Sequence, residues 1–135
     1  MFRQGARIST ANQGYSALDY AAEAGMIITV VEHLPTEQLR THVMATYGFH
    51  QTALYRESEL VRDTSGCSLH VAQATLAAWV KHDTPSMNWL AHDAGLPRRE
   101  AERQYQCALG TMRGWDKLAT SMLAEAFEAR GWIDA

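Results

Sequence analysis

The fold turns on one stretch, Trp89–Tyr105, which reads WLAHDAGLPRREAERQY. Ala91 is followed four positions later by Gly95. A small residue in a first helix lets a second helix cross it closely. A glycine in the turn supplies the left-handed backbone that the corner needs. Leu90, Ala94, Leu96 and Ala101 stand where apolar side chains fill the angle between the two helices. Pro97 can open the second helix, because its missing N–H would have no partner there anyway. One position departs from the pattern: Gln104 stands where another apolar residue is expected, and Tyr105 is expected to fill that space. Two structures share this corner, a helix-turn-helix that reads DNA and a plain bend between packed helices.

What separates them is the polar face of the second helix. It carries Arg98, Arg99, Glu100, Glu102, Arg103 and Gln106. In a helix-turn-helix the N-terminal residues of the second helix meet base edges in the major groove. Arginine matches the paired acceptors of guanine, and glutamine matches adenine. The expected DNA-binding residues are therefore Arg98, Arg99, Arg103 and Gln106. The competing reading is a solvated face closed by its own ion pairs: Arg98 with Glu102, Arg99 with Glu102, and Glu100 with Arg103 all have helical spacing. Over residues 86–115, four arginines face three acids, a net of +1. So small an excess gives modest phosphate affinity. It points to a homodimer or a protein partner rather than a monomer acting alone.

Outward from this corner the chain reads as helices, joined by proline and glycine punctuation. Leu18, Ala21, Ala22, Met26, Ile27, Val30 and Val31 hold 3- and 4-residue steps, predicting a helix over 16–33 capped by Ser16. Pro35 and Glu37 open a second, with Leu39, Val43, Met44 and Tyr47 as its apolar stripe and Gly48 as its stop. A third covers 50–62, with Leu54, Leu60 and Val61 inside, followed by a loop at 63–66. A fourth spans 68–82, with Val71, Leu76, Ala77 and Val80 inside. A short fifth covers about 86–94. A sixth runs from Pro97 to about 129, with Ala101, Tyr105, Ala108, Met112, Trp115, Leu118, Met122, Ala126 and Phe127 on its apolar side. Gly110 and Gly114 mark a place where it could bend. The expected fold class is all-α: a compact domain of about six helices over 16–135, with the helix-turn-helix at about 86–106 and a long C-terminal helix. Residues 1–15 read as a loose N-terminal arm.

The chain has 135 residues, 47% hydrophobic and 20% charged, ordinary values for a soluble globular domain. Its net charge of −3 excludes a protein that coats nucleic acid by bulk charge, so any DNA contact must be a local patch. Cys67 and Cys107 form no CxxC pair, which argues against a disulfide framework or zinc ribbon and for two free thiols in a reducing cytosol. No run reads as a secretory signal or a membrane span. The six histidines make no metal-ligand spacing. No GxSxG, P-loop or GxGxxG occurs. Cys67 at a helix start is where a thiolate would be favoured, though a small buried residue explains it as well. The tryptophans read mostly as core. No enzyme, cofactor or metal is expected.

The order of these parts resembles one family. A helix ends in Val31-Glu-His-Leu-Pro35, and the next ends in Tyr47-Gly48. A variable middle leads to WLAHDAGLPRREAERQY and a long helix, closed by Gly131-Trp-Ile133. Over about residues 17–133 this resembles the phage antitermination Q proteins, small helical regulators of late genes. The resemblance implies a protein that binds DNA beside a late promoter and joins RNA polymerase, paused with its sigma factor, which then reads through terminators. By position it carries DNA recognition to Arg98, Arg99, Arg103 and Gln106. The zinc-binding cysteine cluster of some relatives is absent here. The expected function is thus a sequence-specific DNA-binding regulator of transcription, of the antiterminator type. The alternative is a helical protein–protein interaction module, a phage adaptor or inhibitor that does not touch DNA.

Overall fold

One helix organises the molecule. The computed structural model describes residues 17–48 and 50–132, with side chains from Gly25 onward. Its helices are α1 (Ala17–Glu32), α2 (Glu37–Thr46), α3 (Gln51–Ser65), α4 (Leu69–Val80), α5 (Met87–Ala94) and α6 (Arg98–Ala129), with no strand among the described residues. All five other helices pack against α6. Its 32 residues run without a break through Gly110 and Gly114. At 1.5 Å per residue that is a rod of about 48 Å. Its buried face is rich in alanine: Ala101, Ala108 and Ala119 are fully buried, and small side chains let neighbouring helices approach closely.

Two apolar clusters sit along this rod. The first joins α3, α4 and α5 to the N-terminal half of α6, around Val61, Val71, Leu76, Leu90, Tyr105 and Met112. The second joins α1 and α2 to the C-terminal half, around Val30, Val31, Leu39, Val43, Leu123 and Phe127. Trp115 packs against both. The architecture is the expected all-α domain with a long last helix. The N-terminal arm and the Ser16 cap lie outside the described residues.

The local chemistry corrects several expectations. α2 begins at Glu37 with Thr36 as its cap, the hydroxyl accepting from Leu39 N–H at 3.3 Å, so Pro35 precedes the helix rather than opening it. Residues 63–65 are helical rather than a loop. Ser65 Oγ donates back to Val61 O at 2.7 Å, and Gly66 ends the helix in the left-handed region at φ 77°. Ala77, Leu118 and Met26 point outward, and Tyr47 is half exposed with its hydroxyl turned back toward α6. Leu118 falls outside the helical line of Met112, Ala119 and Leu123 that faces inward, so Ala119 takes the buried position. Trp89 is 73% exposed, against its reading as core. The eight residues of α5 give it only about two turns, and these bury Leu90 and Ala91 instead.

The corner itself follows the sequence. Gly95 is left-handed at φ 67°, and Leu96 N–H bonds back to Ala91 O at 2.9 Å. A Cβ added at Gly95 would meet nothing within 4 Å, so the demand there is for backbone conformation and not for space. Gly95→Ala should therefore cost about 1–2 kcal/mol, the penalty of a left-handed L-residue, and Gly95→Asn less. Urea unfolding of the two variants checks this ordering.

Candidate functional site

The α5–α6 corner is completed by α4, which packs on both helices. Gln104, the one residue out of pattern, explains itself here. Its Oε1 accepts from Ser68 N–H at 2.8 Å, at the N-cap of α4, and its Nε2 donates to Glu100 at 3.1 Å. A polar side chain thus ties α6 to the start of α4, while Tyr105 and Ala101 fill the apolar space.

Arg98, Arg99, Arg103, Gln106 and Glu102 are all exposed and share one face of α6. Of the three anticipated ion pairs, only Glu100–Arg103 forms. That hydrogen bond, with a second from Gln104, holds the Glu100 carboxyl down at about 2. Arg98 and Arg99 have no carboxylate partner among the described residues. They sit in the first turn, where the helix dipole favours acids and disfavours cations. Pro97 offers no side-chain cap, so the first-turn N–H groups of α6 are open as well. Two unpaired cations at an uncapped helix N-terminus gain nothing for the helix, but they are what an anion such as phosphate binds.

A second polar assembly was not anticipated from sequence. His42 on α2 is fully buried. Its Nδ1 bonds to Glu57 Oε1 of α3, and its Nε2 to Asp116 Oδ1 of α6, each at 2.9 Å. Tyr47 Oη donates to the same Asp116 oxygen at 2.8 Å. The Trp79 ring meets the imidazole edge-on, with centroids 5.8 Å apart. A carboxylate at each nitrogen favours a ring that carries hydrogen on both, the imidazolium form. Burial opposes that charge, but the bonds to Glu57 and then Asp116 outweigh it and raise the His42 pKa above its ordinary 6.5. The Tyr47 phenol is pushed up to about 12, by burial and then by the Asp116 carboxylate. Glu57 Oε2 is buried with no hydrogen-bond partner, so the assembly is incompletely satisfied.

Beside this assembly lies a cleft of about 500 Å³, lined by the ends of α2 and α4 and the middle of α6. Cys67 is buried in the first apolar cluster and burial pushes its thiol up, opposite to what a nucleophile needs. His33 and His82 sit at the ends of α1 and α4, and His70 stands 3.9 Å from Asp93 in the open. Among the described residues no group of three or more His, Cys, Asp or Glu is placed to hold a metal ion. No described helix is long and apolar enough to cross a membrane. No family model, curated protein or solved structure matches the chain.

Proposed function

We propose that the protein binds double-stranded DNA through the α5–α6 corner and acts as a sequence-specific regulator of transcription. The observation that carries this reading is the pair Arg98 and Arg99, exposed and without a carboxylate partner at the uncapped start of α6. The corner presents that end of the helix away from the core, and Gln106 extends the same face by two turns. Arg103 is held by Glu100 in the free protein and joins the contact only by exchanging that partner for DNA.

The finer reading, an antiterminator of the phage Q type that joins RNA polymerase and its sigma factor, rests on the order of motifs along the chain. The weak net charge of the corner fits a protein that binds together with a partner or a second copy. Full-length protein and duplex DNA from just upstream of its own gene's neighbouring promoters give the direct test, by gel shift. A specific complex that Arg98→Ala plus Arg99→Ala abolishes supports the assignment, and one that the double variant leaves intact removes it.

A further inference from the structure

The cleft beside Asp116 has a chemistry that the DNA reading does not use. Its volume of about 500 Å³ falls within the ordinary range of small-ligand sites. Trp79, Tyr47 and Tyr105 contribute aromatic wall. The C-terminal ends of α2 and α4 both open onto it, through Thr46 and Tyr47 and through Val80, His82, Asp83 and Thr84. Helix C-termini carry partial negative charge. Two carboxylates add to this. Asp83 lies on the lining at the end of α4. Asp116 uses Oδ1 for both His42 and Tyr47, leaving Oδ2 without a partner among the described residues, on a side chain 25% exposed. Against these stand Arg113, exposed on the lining with no carboxylate partner among the described residues, and the imidazole of His82, also on the lining. His42 offsets part of the Asp116 charge but is shared with the second carboxylate of Glu57, so the assembly behind the cleft holds two carboxylates against one imidazole.

We propose that this cleft binds a small organic cation, an amine or quaternary ammonium ion. Aromatic faces attract a cation within about 6 Å of the ring, and the carboxylates and helix ends supply the countercharge. Asp116 is held in place by two hydrogen bonds to Oδ1, so it meets the ligand already oriented. The assignment rests on the cleft alone and stands or falls apart from DNA binding.

The test is titration of the full chain with choline and with 3,3-dimethylbutan-1-ol, its uncharged isostere, followed by the NMR signal of the Trp79 indole. Choline should shift that signal saturably, and the neutral isostere should bind at least about ten-fold more weakly. Asp83→Asn keeps the hydrogen bond to Thr84 N–H but removes the charge, and should weaken choline binding several-fold. Arg113→Ala removes the opposing charge and should tighten it. Neither substitution touches the buried assembly, so both variants fold. No saturable shift at tens of millimolar choline overturns the proposal. So does equal binding of the neutral isostere, or an affinity indifferent to both substitutions.

Discussion

Replacing His42 with leucine lowers the unfolding free energy by about 3–5 kcal/mol, the largest loss expected from any single change in the polar residues. The substitution leaves Glu57 as a buried carboxylate with no cation, since both of its oxygens are then unpaired. Changing both members at once, His42→Leu with Glu57→Leu, removes the stranded charge and recovers part of the loss. Asp116 is partly exposed and keeps Tyr47, so it survives the double change. Additive losses in the double variant would contradict an ion-paired assembly. The dependence on pH has a definite sign. The folded pKa of His42 lies above its unfolded value. The charge therefore contributes stability that is fully present below about pH 6.5 and is lost as pH rises through the folded pKa. From about pH 6 upward, the gap in unfolding free energy between the wild type and His42→Gln should narrow. A gap that is constant or widens would show that His42 is neutral in the folded protein.

Replacing Arg98 and Arg99 by alanine should have opposite effects on binding and stability. Each arginine that contacts a base edge is worth about 1–3 kcal/mol of affinity, and each that contacts phosphate steepens the salt dependence by about one unit. Each also sits at the unfavourable end of the α6 dipole. Its removal should raise stability by about 0.3–1 kcal/mol at low ionic strength. A variant that is more stable and binds less has lost functional side chains and not its fold. Arg103→Ala should lose less affinity, because Arg103 gives up Glu100 on binding. Glu100→Gln should strengthen binding by releasing it. Fluorescence anisotropy over a salt series measures all four variants. Equal losses at Arg98, Arg99 and Arg103 would mean that the Glu100 pair does not distinguish them.

The helices were legible because each carried its own signals. Ser68 and Ser86 cap α4 and α5 by accepting from Val71 N–H and Trp89 N–H, as their residue types suggest. The β-branched run Ile27–Val31 stays helical because Val30 and Val31 are needed in the second apolar cluster. The buried faces were misread for one physical reason: apolar character was taken as the marker of burial. The inward face of α2 is Leu39, His42, Val43, Ala45 and Thr46, with Met44 packed at its edge; of the expected stripe of Leu39, Val43, Met44 and Tyr47, only Tyr47 is exposed. His42 lies three residues after Leu39, and Glu57 lies three before Leu60 and four before Val61, each on its helix's core stripe. Those polar residues at core positions of neighbouring helices were the signal available in the sequence. Asp116 carried none, since nothing local places it beside α2. The turn of the corner was legible down to Gly95, though the exposure of Trp89 and the bond from Ser68 N–H to Gln104 were not. Which of its ion pairs close was not, because three pairings share the same spacing and only side-chain geometry selects Glu100–Arg103.

The central claim is that the exposed start of α6 reads duplex DNA. Selection of the full chain against a randomised duplex library tests it most directly. The expected result is an enriched sequence containing guanine, the partner of a bidentate arginine, that the Arg98→Ala/Arg99→Ala variant no longer enriches. No enrichment by the wild type, or the same enriched sequence from the variant, would contradict it.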